Sequence, residues 1–264
     1  MADSRLLLDR QGPVARVTLN RPEIHNAFDE HLIAELTTAF ETLAEEETVR
    51  CVLLTGAGRS FSAGADLSWM RRTADYDEEA NLEDARRLER MLAALDELPK
   101  PTVALVNGAA MGGGVGLVAA CDVAIAAERA VFALSEVRLG LVPAVISPYV
   151  LRAVGPRACR RYFLTGERFD AAEARRIGLV HETVPEAALE ARAGEIVEAI
   201  LAGGPEAQAE AKSLVRLCGS LEGSLLGEAT ARMIARRRAS PEGREGVTAF
   251  LEKRPPAWRC ERED

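Results

Sequence analysis

The chain is short of the residues that mark several common protein classes. Aromatic side chains make up 5% of its 264 residues, and there are three histidines. The five cysteines (Cys51, Cys121, Cys159, Cys218 and Cys260) are odd in number, scattered, and form no C-x-x-C pair. Such a set supports neither a disulfide framework nor a structural zinc site. Cys51 and Cys121 sit in apolar runs and read as small core side chains. No H-x-x-x-H pair or carboxylate cluster has metal-ligand spacing, so no metal is expected.

Positive charge is also in deficit. Lys and Arg number 33 against 41 Asp and Glu, a formal net charge of −8. That field repels nucleic-acid phosphates. Arg86–Arg87, Arg175–Arg176 and Arg236–Arg238 fall in helical sequence near acidic residues and read as solvated helix faces, so no nucleic-acid partner is expected. The longest apolar stretch, Thr102–Ala127, is broken by Asn107, glycines and Asp122 and makes a poor membrane span. Met1–Arg10 shows no basic region followed by a long apolar run. The expectation is a cytoplasmic protein with no membrane contact. Two phosphate fingerprints are missing as well: no Gly-Lys-Ser/Thr follows a glycine loop, and Leu117 stands where G-x-G-x-x-G needs its last glycine. No serine occupies a G-x-S-x-G elbow.

What is present is an ordinary globular balance, 48% hydrophobic and 28% charged, with ample length for a core. Leu6–Asp9 and Val14–Asn20 read as strands joined by a turn at Gln11-Gly12-Pro13. Asp29 reads as the N-cap of a helix to about Glu46, with Leu32, Ile33, Leu36, Phe40 and Leu43 at helical spacing. Cys51–Thr55 and Thr102–Val106 read as buried strands, each followed by a glycine-rich loop and a helix, Glu79–Leu98 and Gly114–Ala120. Val123–Ala126 and Ala130–Ala133 are further strands. This order predicts an α/β domain over 1–143. Beyond Pro143 strand signals nearly vanish, and amphipathic helices are expected at Pro148–Val154, Pro156–Leu164, Ala171–Ile177, Ala187–Ala202, Pro205–Cys218 and Leu221–Arg238. Residues 144–264 are therefore expected to form a helical region.

Two segments have the composition for chemistry. In Ser62-Ala63-Gly64-Ala65-Asp66-Leu67, small residues after a buried strand let the backbone approach a ligand and leave N–H groups unpaired, although a simple turn needs small residues too. Met111-Gly112-Gly113-Gly114-Val115-Gly116 can start a helix with bare N–H groups at its positive end, although close helix–strand packing explains it equally well. Together they suit an oxyanion hole, which needs two donors and polarises a carbonyl such as a thioester's.

Those two segments, with Asn20-Arg21-Pro22-Glu23-Ile24-His25-Asn26-Ala27-Phe28, Cys121-Asp122, Ser135-Glu136 before Leu139-Gly140-Leu141, and Phe250-Leu251-Glu252-Lys253-Arg254-Pro255, resemble the enoyl-CoA hydratase/isomerase (crotonase) family in order, from about Val14 to Trp258. Within it, Asp66-Leu67-Ser68-Trp69-Met70, Ser135–Pro148 and Ala249–Trp258 are most similar to the bacterial methylglutaconyl-CoA hydratases of leucine degradation. The resemblance implies a spiral of ββα units with a C-terminal α-helical trimerisation region, assembled as a homotrimer or homohexamer, acting on acyl-coenzyme A with no separate cofactor. It implies N–H donors at Ala65 and Gly113, a coenzyme A path along Ile24, His25, Ala63, Asp66, Leu67 and Gly112, and Phe250 and Lys253 reaching coenzyme A from a neighbouring subunit. Trp69, Met70 and Gly116 would shape the acyl pocket, although aromatic and Met side chains such as Trp69 and Met70 more often simply pack.

Family hydratases typically pair two glutamates. Glu136 supplies one, and the other would fall at Gly116, which has no side chain. Glu136 is expected to carry the proton transfers alone, desolvated by Phe132, Val137 and Leu139. One glutamate also suits an isomerase, or a hydratase of another branched enoyl-CoA. A non-catalytic coenzyme A- or RNA-binding member is the reading from another class. A distal carboxylate on the substrate would call for Arg71, Arg72 or Arg138.

Overall fold

Apolar alternation and a tight turn build the first hairpin. β1 (Leu6–Gln11) and β2 (Val14–Leu19) pair antiparallel from Leu6↔Leu19 to Gln11↔Val14, with Gly12 at φ +57 in the turn. Ala15, Val17 and Leu19 are fully buried and face the core. α1 (Glu30–Glu45) begins where the Asp29 carboxylate accepts the Leu32 N–H at 2.8 Å, and it buries Leu32, Leu36, Phe40 and Leu43 along one stripe.

The chain then repeats one pattern. β3 (Cys51–Gly56), β5 (Thr102–Val106) and β7 (Val123–Ala127) enter a six-stranded sheet in the order β1-β2-β3-β5-β7-β10. Each is followed by a three-residue strand, β4 (Ser60–Ser62), β6 (Ala109–Met111) or β8 (Val131–Ala133), which joins a second sheet ordered β4-β6-β8-β9. A helix closes each turn: α2 (Leu67–Thr73) with α3 (Glu78–Asp96), then α4 (Gly113–Ala120), then α5 (Ser147–Thr165). Successive turns add parallel strands to both sheets, for example Leu53↔Val103 in the six-stranded sheet and Ser60↔Ala109 in the other. The ββα spiral implied by the resemblance is thus borne out.

The computed structural model describes residues 4–259 and divides into two compact units. One is Thr102–Gly194 with the described part of Met1–Leu98, and the other is Pro99–Pro101 with the described part of Glu195–Asp264. The change of character expected near Pro143 therefore lies elsewhere. β9 (Arg168–Asp170) pairs antiparallel with β8, α6 (Ala171–Ile177) follows it, and β10 (Glu182–Val184) extends the large sheet beside β7. Three-residue strands are too short to show a period, which also hid β4 and β6. The two helices expected at Pro148–Val154 and Pro156–Leu164 are present: the span α5 is broken at Gly155, whose φ of 72 and ψ of 168 are not helical, just before Pro156.

α7 (Leu189–Leu201) runs into the second unit, which holds α8 (Pro205–Ser220), α9 (Gly223–Ala239) and α10 (Pro241–Glu252). The expected C-terminal helical region is present. Arg237 ties its three helices together through Glu206 at 2.7 Å and Glu242 at 2.8 Å. α10 escaped the sequence reading because Pro241 and Gly243 look like breakers; Pro241 instead sits in the first turn, capped by Ser240. Among the described residues of α8 and α9 none is fully buried, and Val215, Leu225 and Ile234 stay exposed. No helix among the described residues is long and apolar enough to cross a membrane. Cys260 lies outside the described residues, and the other four cysteines are free thiols.

Candidate active site

The loop from Arg21 to Phe28 is shaped by two consecutive left-handed residues, His25 and Asn26, each at φ 56. Asparagine tolerates this because its short side chain bonds locally. Asn26 is fully buried: its Oδ1 accepts the Arg21 N–H at 2.8 Å, and its Nδ2 donates to the carbonyls of Ala57 (2.9 Å) and Ser60 (2.8 Å). The knot delivers Phe28 to the Ser62–Leu67 segment, where it forms a parallel bridge to Ala65. The Phe28 N–H donates to the Gly64 carbonyl and the Asp66 N–H donates to the Phe28 carbonyl, both at 2.7 Å. Ala65, between them, makes no N–H bond within the described residues and is exposed.

Asp66 turns out to be the N-cap of α2, a short helix that sequence reasoning missed. It accepts the N–H groups of Ser68 (2.7 Å) and Trp69 (3.3 Å) and a bond from Arg21 Nη2 at 2.9 Å. Burial raises its carboxyl, but these donors outweigh burial and leave it below the ordinary carboxylate range. Asp66→Ala is expected to cost about 1 kcal/mol or more of stability near pH 7. A depressed folded-state value stabilises above the unfolded value of roughly 4 and fades as pH falls through the folded one. The gap from wild type in urea unfolding should therefore shrink in acid; a constant gap would refute the account.

The second segment turns from β6 into α4 at Gly112, whose φ of 48 and ψ of −115 favour glycine. Its N–H donates to the Ala133 carbonyl at 2.9 Å. Gly113 is the first residue of α4, and its N–H has no partner within the described residues. Close approach explains the missing side chains. A β-carbon on Gly113 would lie 2.7 Å from Phe28 Cε2, and one on Gly64 would lie 2.9 Å from the Met111 carbonyl oxygen. Phe28 thus joins both segments, bridging Ala65 through its backbone and lying against Gly113 through its ring.

Glu136 opens a 3-10 turn (Glu136–Leu139) after β8. A β-carbon on Gly112 would sit 3.0 Å from its Oε1, so the carboxylate lies against the head of α4. Its Oε2 is buried without a hydrogen-bond partner among the described residues, and burial pushes the carboxyl above the ordinary range. Of the side chains expected to desolvate it, Phe132 is buried and Val137 half-buried, but Leu139 is 61% exposed and does not shield it. One turn further along α4, Gly116 is buried. A β-carbon there would fall 2.4 Å from Ile146 Cγ2, so the place of the expected second glutamate is filled by a methyl group.

A family model described as enoyl-CoA hydratase/isomerase matches residues 9–261. The chain belongs to the enoyl-CoA hydratase/isomerase family. The 2,3-dehydroadipyl-CoA hydratase of Escherichia coli K12 is 36% identical over 259 residues, covering 97% of this chain and 99% of the relative. An enoyl-CoA hydratase structure from Shewanella pealeana superposes with a TM-score of 0.94 at 47% identity, covering 97% of this chain and 96% of that one. Pseudomonas aeruginosa AtuE superposes with a TM-score of 0.94 at 39% identity, covering 97% and 100%.

For an enzyme of the enoyl-CoA hydratase/isomerase type, the remaining residues are placed unevenly. Ile24 is half-buried, while His25, Ala63 and Leu67 are exposed; His25 Nδ1 lies 3.0 Å from Ser60 Oγ. Trp69 and Met70 are half-buried on α2. Arg72 is held by Glu30 at 2.7 Å, whereas Arg71 has no carboxylate partner among the described residues. His181 is structural: it lies against β7, and its Nδ1 accepts the Ala124 N–H at 3.1 Å. Phe250 (82% exposed) and Lys253 (φ 55) belong to the second unit, at the end of α10. No group of His, Cys, Asp and Glu able to hold a metal occurs among the described residues. Sequence reasoning missed the roles of Phe28 and Ile146, and no local signal ties either to its glycine.

Proposed function

We propose that the protein is a hydratase that adds water across the α,β double bond of an enoyl-CoA thioester. The observation that carries this reading is the half-buried Glu136 at the head of α4, where Gly113 has a bare N–H: its Oε2 is buried with no hydrogen-bond partner among the described residues. In the proposed reaction the N–H groups of Ala65 and Gly113 bind the thioester oxygen as negative charge develops on it. Glu136 accepts a proton from water, the hydroxyl adds to the β-carbon, and Glu136 returns the proton to the α-carbon. Coenzyme A would run along Ile24, His25, Ala63, Asp66, Leu67 and Gly112, with Phe250 and Lys253 supplied by a neighbouring subunit. The apolar side chains exposed on α8 to α10 support a homotrimer or homohexamer. No further cofactor is required, and the cytoplasm suits the free thiols.

The preferred substrate is of the 3-methylglutaconyl type. Its distal carboxylate would suit Arg71 or Arg138, neither of which has a carboxylate partner among the described residues, and 2,3-dehydroadipyl, in the name of the E. coli relative, carries a distal carboxylate too. A second reading, double-bond isomerisation, is favoured by a lone carboxylate, Glu136, against Gly112, since Gly116 has no side chain to supply another. Loss of the conjugated-thioester absorbance, followed with crotonyl-CoA and 3-methylglutaconyl-CoA in parallel, tests the proposal. Faster hydration of the branched diacid supports it; coenzyme A thioester binding without hydration of either transfers the case to isomerisation.

Gly113→Ala probes the donors. Its methyl would press on Phe28, and displacing a donor by about 1 Å is expected to lower kcat by about 10²-fold. Full activity in that variant would remove Gly113 from the machinery.

A further inference from the structure

A second concavity shares no residue with the candidate active site. α5 from Val154 to Tyr162, on both sides of Gly155, and α6 line a cleft of about 800 Å³, within the roughly 300–1,000 Å³ of small-molecule sites. Four arginines line it (Arg157, Arg160, Arg161 and Arg176), together with Tyr162 and one carboxylate, Glu173.

That carboxylate is already neutralised. Glu173 accepts Arg176 Nη2 at 2.7 Å and the Tyr162 hydroxyl at 2.6 Å, and these two donors hold its carboxyl down to about 2. Arg161 is paired with Glu167 at 2.7 Å. Arg157 and Arg160 have no carboxylate partner among the described residues. Three residues apart on α5, they share a helix face. Counting Glu167, four cations face two anions, a local excess of two positive charges in a chain of net charge −8. A cleft walled by one sign of charge focuses the field inside it, and paired guanidinium forks match acceptors with two oxygens.

We propose that this cleft binds a small polyanion carrying at least two oxyanion groups, phosphate or carboxylate, engaged by Arg157 and Arg160. The site is independent of the hydratase reading.

Inorganic pyrophosphate and citrate are the probes, titrated calorimetrically into the whole protein with acetoacetyl-CoA saturating the thioester site. One saturable site per chain is expected, weakened on raising salt. Arg157→Gln/Arg160→Gln is expected to weaken it roughly tenfold or more per arginine, with unchanged thermal unfolding and enoyl-CoA turnover. Binding of both probes defines an oxyanion site in general; binding of pyrophosphate alone defines a phosphate site. No saturable binding of either probe, or binding unchanged in the double variant, overturns the proposal.

Discussion

Glu136→Gln is expected to lower enoyl-CoA hydration by about 10³-fold, within the 10²–10⁴ that a positioned acid–base group supplies, while thioester binding changes little. The amide keeps the carboxylate's shape but cannot take a proton from water. Among the described residues no partner stands ready to replace it: Oε2 has no hydrogen-bond partner there, and Gly116 has no side chain to offer. The pH dependence gives a second reading of the same group. Burial raises the carboxyl, so the ionised base that catalysis needs is lost in acid at a higher pH than an ordinary glutamate would give. The acid limb of the wild-type kcat profile should therefore lie above the usual carboxylate range and vanish in the variant's residual rate. Stability should move the other way. A raised folded-state value means the native state holds its proton longer, so stability falls as pH rises from the unfolded value to the folded one. Glutamine removes that penalty, and the inactive variant should be no less stable than wild type at pH 7. Turnover within tenfold of wild type would end the assignment.

The second large effect is predicted at Gly116. Gly116→Glu should destabilise severely, because its β-carbon alone would lie 2.4 Å from Ile146 Cγ2 and 3.0 Å from Ile146 Cβ, and the carboxylate would enter buried surroundings. The clean measurement is a cycle of smaller changes read by urea unfolding. Gly116→Ala is expected to cost about 1–3 kcal/mol from overpacking, partly offset by alanine's better helix propensity. Ile146→Ala is expected to cost about 2–5 kcal/mol through the cavity it leaves. The double variant should lose less than the sum by about 0.5–3 kcal/mol, because the added methyl enters the vacated space. Strict additivity would show that Ile146 does not occupy that position. With the space opened, Gly116→Glu/Ile146→Ala should fold better than Gly116→Glu alone.

What could be read in advance follows from the length scale of each signal. α1 and α3 were legible because several turns of apolar spacing average out local noise, and β3 and β5 because each is a short apolar run closed by a turn residue. α2 was lost because seven residues carry little periodicity, and its start depends on Asp66, which looked like a ligand contact rather than a cap. Glu136 emerged only through the family resemblance; nothing in its neighbours says that its oxygen meets Gly112. Ile146 lies 30 positions from the glycine it fills, and such a pairing becomes visible only when the spiral brings the two together. The second glutamate's absence at Gly116 was plain, but its physical counterpart was not.

The candidate centre draws one piece from each of four successive turns of the spiral: Phe28, then Ala65, then Gly113, then Glu136. Each stands after the second strand of its turn, before the helix that follows or, for Gly113, at its first residue. The site is thus a row of equivalent sockets rather than one loop, and a socket can be rewritten while its neighbours keep their backbone registers. Variation confined to residues 134–146 would retune how protons are moved and leave the donors of earlier turns in place. A lineage built on this repeat can change its chemistry one turn at a time.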